Sequence, residues 1–309
     1  MKINFVQNAG ANCNINKSAP QKHYCQIHSN ICDSVSFGAN NIKGELSPLE
    51  QHGVSVAKKL MKMQRSGDLN RENISKYLNS ISPVPVYVDH ISNLPPQIRA
   101  NMPNAVAHMV PGYNFQNVEL AMANIYLKDA WNTKEAGDLI ANTAHEFTHV
   151  LQRHADKGYY GIKQYTRDSA EITSLARMSQ QMYNSLVNTC ARILMYDDEF
   201  QAKLRKGRIP DSTEIEKCLM KNGRKDTFAQ SVEHTVKELS KRDALPPVKM
   251  DVDTIIKIAK GWIAKEAQNE TEAYNVTLSA LRQWGKYEPD VLLNRSVTRS
   301  INQIIANLF

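Results

Sequence analysis

Ala144-His145-Glu146-Phe147-Thr148-His149-Val150 is the one run of side chains in this sequence whose types and spacing define a chemistry. Positions four apart lie on one face of a helix, one turn apart. His145 and His149 can therefore direct two imidazole nitrogens at one metal ion, at about 2.0–2.1 Å. Glu146 stands beside them, where its carboxylate can reach a metal-bound water without occupying the metal. Zinc lowers the pKa of such a water toward ~7, and Glu146 can take the proton. A bare HExxH recurs by chance, so its setting decides what it means.

The setting predicts a helix. Leu139, Ile140, Ala144, Phe147, Val150 and Leu151 surround the motif at helical spacing, Asn132 with Glu135 three residues on can cap it, and the helix should reach about His154. Three short apolar runs precede it: Val84 to Val88, Ala105 to Val110 closed by Pro111-Gly112, and Val118 to Leu127. Their turn-rich spacing predicts a small, mainly antiparallel sheet packed on the motif helix. Earlier, Ser47-Pro48-Leu49-Glu50 spells a capping box with proline at the first helical position. The helix it opens carries Val54, Val56, Ala57, Leu60, Met61 and Met63. After a polar loop from Asp156 to Tyr165, apolar spacing predicts a long helix from Asp168 to about Arg205 and shorter ones near 212–222 and 226–241. Beyond Pro246-Pro247, helices are expected from Val252 to about Trp284 and from Pro289 to Leu308. The expected fold class is α+β and mostly helical. The expected organisation is a disordered polar leader over 1–45, a subdomain with sheet and motif helix over 46–155, and a helical subdomain over 156–309.

Composition sets the outer bounds. The chain has 309 residues, 42% hydrophobic and 22% charged, enough to bury a sizeable core. No apolar run is long enough to span a membrane, and the start of the chain has no signal-peptide pattern. The default location is cytoplasmic, with signal-independent export left open. The net charge is +7. Its densest run, Lys203, Arg205, Lys206 and Arg208 followed by Lys221, Arg224 and Lys225, lacks the interleaved aromatics of a base-stacking surface, so no nucleic-acid partner is expected. Five cysteines without CxxC spacing do not form a disulfide framework. Cys13, Cys25 and Cys32, near His23 and His28, fit no metal motif. Oligomeric state is not readable.

An HExxH helix after a small sheet resembles the zincin metallopeptidases. The resemblance covers roughly residues 83–155 and one later segment, and implies a zincin-like fold with one Zn²⁺ per chain and a protein or peptide substrate. Gln152 and Ala155 stand where the metzincin pattern has Gly and its third His, which excludes that subclass. Asn269-Glu270-Thr271-Glu272-Ala273-Tyr274 resembles the NExx(S/A)D segment of the gluzincins, which implies Glu270 as third ligand. Helical spacing agrees, placing Glu270 on one face with Ala259, Ile263, Ala273 and Thr277. Glu272, Glu266 and Asp156 remain alternates. Tyr274 replaces an Asp that orients a zinc-bound imidazole in that family. Donors to a developing oxyanion would come from Tyr159, Tyr160, Tyr165, Tyr274, His234 or Arg282. The strand Asn124, Ile125, Tyr126 and Leu127, directly before the motif helix, matches the edge strand that holds substrate in zincins. The resemblance thus implies a zinc-dependent metallopeptidase. Two other readings remain: an inactive zincin-fold binding or scaffold protein, and a helical interaction protein whose HExxH is coincidental.

Overall fold

The computed structural model describes residues 46–100, 106–131, 135–156, 159–206, 208, 210–221, 224–285 and 289–309. The expected leader over 1–45, with its cysteines and histidines, and the capping residue Asn132 lie outside them.

Helix α1 (Pro48–Ser66) starts as its sequence predicts. The Ser47 hydroxyl accepts the Glu50 amide while the Glu50 carboxylate accepts the Ser47 amide. It ends on Gly67, whose φ of 80° suits a residue without Cβ. The periodicity passes over α2 (Arg71–Ile81), which buries only Ile74 and Leu78 and is capped by Asn70. Two anchors give too weak a repeat to be read from sequence.

Strands β1 (Val86–His90), β2 (Ala107–Asn114) and β3 (Glu119–Leu127) pair in the order β1-β3-β2, with the single turn α3 (Pro96–Arg99) between β1 and β2. β2 and β3 form an antiparallel hairpin, whereas β1 runs parallel to β3. The sheet is mixed rather than mainly antiparallel, because β1 and β2 are not neighbours and β3 takes the place between them. This order also corrects the edge-strand expectation. Asn124 to Leu127 belong to the middle strand, with Asn124 opposite Tyr87 on one side and Val110 on the other. That segment has no free ladder to offer a peptide. The edges belong to β1 and β2. On β1 the Asn79 side chain accepts the Val86 N–H at 2.8 Å and donates to the Val86 carbonyl, which blunts that edge.

The motif helix is α4 (Ala136–Ala155), whose N-cap residue Glu135 makes no side-chain cap hydrogen bond among the described residues. The long helix expected next is two: α5 (Ser169–Tyr196) and α6 (Asp198–Arg205). Asp197 turns extended between them and its carboxylate accepts the Phe200 amide, so a capping preference interrupts an otherwise continuous apolar spacing. Helices α7 (Ser212–Met220), α8 (Arg224–Lys241), α9 (Val252–Trp284) and α10 (Pro289–Ala306) follow close to their expected spans. Lys203 and Arg208 of the basic run pair with Glu214, and Lys221 with Asp197. No helix among the described residues is long and apolar enough to cross a membrane.

Two apolar clusters form the core. One joins α1, α2, the sheet and α4 through Leu60, Leu78, Ile125 and Phe147; the other joins α5 to α10 through Ile172, Leu175, Trp262 and Val297. Helix α9 feeds both, with Val276, Ala280 and Leu281 in the first and Ile255, Trp262 and Ile263 in the second. Gly53 lets α1 approach this junction closely. A Cβ there would lie 2.6 Å from Thr148 Oγ1 and 2.9 Å from Val276 Cγ2. Gly53→Ala is expected to cost about 1–3 kcal/mol through overpacking. The check is a lower urea midpoint at unchanged m-value.

Candidate metal centre

Helices α4 and α9 lie side by side in opposite directions. Residues ascending α4 meet residues descending α9: His145 with Thr277, His149 with Glu270, Arg153 with Glu266. The second of these rungs brings three ligating groups to one point. His145 Nε2 and His149 Nε2 are 3.1 Å apart, and the Glu270 carboxylate lies 3.5 Å from the first and 3.3 Å from the second. Donors about 2.0–2.1 Å from a tetrahedral ion are about 3.3 Å from each other. The three side chains are therefore spaced as such an ion requires, and this buried group could bind a metal ion. All three residues are at least nine-tenths buried.

Hydrogen bonding fixes the imidazole tautomers. The Thr277 hydroxyl donates to the Ala273 carbonyl at 3.1 Å, so its oxygen accepts the proton on His145 Nδ1 at 3.0 Å. The Gln152 amide nitrogen donates to the Asn269 carbonyl and the Glu272 carboxylate, both at 2.9 Å, which leaves Gln152 Oε1 to accept from His149 Nδ1 at 2.8 Å. Both rings thus turn an Nε2 lone pair toward the other. Two lone pairs 3.1 Å apart and faced by a carboxylate need a cation between them. Without metal that cation is a proton. Burial works against the charged His149 imidazole, but Glu270, with Glu146 and Glu266 further away, outweighs it and lifts the pKa to about 9. Burial likewise opposes the Glu270 charge, and the two imidazoles outweigh it, holding its carboxyl well below the usual range.

The alternates for the third ligand all have other partners. Glu272 holds Gln152; Glu266 accepts from Arg153 and Tyr160; Asp156 accepts from Asn269 and Lys265. Tyr274 does not take over the hydrogen bond of the Asp it replaces, since Thr277 makes that bond to His145. Its ring stands edge-on to His145 at 4.8 Å, and its hydroxyl, pushed up to about 12 by burial, bonds Arg295. The other expected oxyanion donors are not brought to the three ligands. Tyr160 donates to Glu266, Tyr159 packs on Tyr113, Tyr165 packs against the helical core, and His234 and Arg282 are exposed.

Glu146 reaches the outer edge of β2, where its Oε2 accepts the Met109 N–H at 2.8 Å, and its charge acts on His149. His108, the residue before Met109, was not singled out by sequence. Burial lowers its pKa, and the charges of Glu146 and Glu270 work against that lowering. Its signal was a histidine inside an otherwise apolar strand. Gln152 and Thr277 were equally unmarked as imidazole partners, although Gln152 stands one turn after His149. Gln152→Leu is expected to weaken metal binding 10- to 100-fold, because His149 loses the acceptor that orients it. Competition with a chromophoric chelator measures this. Comparison with known proteins finds no family model that matches this chain, and no curated protein and no solved structure that matches it.

Proposed function

We propose that this chain is a zinc-dependent metallopeptidase of the zincin type, gluzincin-like in its ligand set of His145, His149 and Glu270. One observation carries the reading: two fixed Nε2 lone pairs and a carboxylate converge at tetrahedral spacing, with a further carboxylate, Glu146, next in sequence but outside the set. Zinc held there would supply Lewis acidity, acidifying water and polarising a peptide carbonyl. Glu146 takes the proton from the attacking water and passes it to the leaving nitrogen. Of the two strands at the sheet margin, β2 is the one against Glu146. An extended peptide laid along it gains affinity from main-chain hydrogen bonds and specificity from side-chain pockets. Because the Met109 N–H already bonds Glu146, an added strand must share that donor with the general base.

The burial of all three ligands favours a second reading, a closed metal site that holds α4 to α9 in a non-hydrolytic binding protein. Zinc-loaded protein incubated with a denatured peptide mixture separates the two. The peptidase reading expects new termini by mass spectrometry, suppressed by a chelator and restored by added zinc. Full zinc occupancy without new termini would overturn it in favour of the closed site.

A further inference from the structure

The rung after His149–Glu270 is Arg153–Glu266, and its polar groups are incompletely used. Arg153 reaches both Glu266 oxygens through Nη2 alone, at 3.0 and 3.2 Å. Its Nε and Nη1 are buried with no acceptor among the described residues. The Tyr160 ring covers the guanidinium at 4.5 Å, but a ring on the face leaves the in-plane N–H bonds unmatched. Around the same tyrosine an acceptor is unmatched too. Asn269 donates from Nδ2 to the Tyr160 hydroxyl at 3.0 Å and to Asp156 at 3.1 Å, while its Oδ1 is buried without a donor among the described residues.

Unmatched donors and an unmatched acceptor meeting around one ring suit a ligand that both accepts and donates. Charge narrows the class. Arg153 is balanced by Glu266 and Lys265 by Asp156. A carboxylate brought here would be desolvated beside two others, whereas a neutral amide can accept from Arg153 and donate to Asn269. The covering turn is itself unusual: Tyr159, Tyr160 and Gly161 have φ of 51°, 57° and 81°, a left-handed run that bulky residues rarely adopt.

The geometry points to an amide subsite formed by Arg153, Asn269 and Tyr160, one helical turn from the metal centre. It rests on the peptidase reading in that its ligand is part of the substrate. The four-residue step from His149 to Arg153 along α4 is about 6 Å, the reach of about two residues of extended chain. The amide is therefore a Gln or Asn side chain, or a main-chain peptide group, about two residues from the bond cut.

Peptide hydroxamates test this, because they anchor on the zinc without turnover. Probes built in both chain directions carry Gln, Glu or Met two residues from the hydroxamate, and one further probe is N-methylated at the peptide bond there. The expected result with zinc-loaded wild-type protein is about tenfold tighter binding of the Gln probe than of the Glu and Met probes. If the amide is main-chain, side-chain preference is absent and N-methylation costs about tenfold instead. Either preference should disappear in Arg153→Met and shrink in Tyr160→Phe. The wild-type comparison decides alone if a variant fails to fold. Equal affinity for all probes, preference for Glu, or no binding by any probe overturns the subsite. Hydrolysis with no probe preference removes the subsite and leaves the peptidase reading standing. Probe preference without hydrolysis does the reverse.

Discussion

Glu146→Gln is expected to keep one zinc per chain and the wild-type unfolding midpoint while lowering peptide hydrolysis about a thousandfold, within the range a positioned general base supplies. The substitution is nearly isosteric, and the oxygen of the substituted amide can still accept the Met109 N–H that Glu146 now accepts at 2.8 Å. Alanine would leave that edge donor unpaired and mix a packing effect with a chemical one. The amide cannot take a proton from water, so the loss should fall on kcat with KM little changed, as for an interaction made only in the transition state. Unchanged zinc with unchanged rate would end the role of Glu146. Lost zinc would mean that Glu146 belongs to the ligand set.

Different parts of this centre were legible to different degrees, for physical reasons. His145, Glu146 and His149 are local: a period of 3.6 residues puts both imidazoles on one face whatever surrounds the helix. Glu270 is remote and meets them because α9 lies antiparallel against α4. Its own helical face was readable, but the pairing of the two helices was not, and only a family-like segment pointed to it. The alternates Glu266, Glu272 and Asp156 could not be set aside from spacing, because what removes them is a set of partners, Arg153, Gln152, Lys265 and Asn269, defined by packing. Strand positions were near the mark, since alternation and turn residues are local signals. Strand order was not, because no local signal tells β3 to insert between β1 and β2. That one topological fact moved the edge from residues 124–127 to β2 and set Met109 against Glu146.

Zinc affinity should weaken about tenfold per pH unit as pH falls below about 9, because binding must displace one proton from His149. Between pH 9 and pH 6 this amounts to about a thousandfold in apparent affinity. The metal-free chain should show the complementary trend. The His149 pKa rises from 6.5 to about 9 on folding. The protonated pair with Glu270 therefore stabilises the fold fully below pH 6.5, and this contribution is lost as pH rises through 9. Raising pH should lower the melting temperature of metal-free protein over that window while widening the shift that a fixed zinc concentration produces. Melting curves from about pH 6 to 9.5, with and without zinc, read both trends at once. A His145→Ala/His149→Ala double variant supplies the control and should bind no zinc here and show neither trend. Glu270→Ala should bind zinc more weakly and lose most of the pH dependence, since the charge that lifts His149 is gone. A zinc-induced shift of constant size across that pH range in the wild type would mean that His149 carries no proton in the metal-free chain. The two lone pairs 3.1 Å apart could then not persist without an ion, and the centre would have to be assembled by the metal itself.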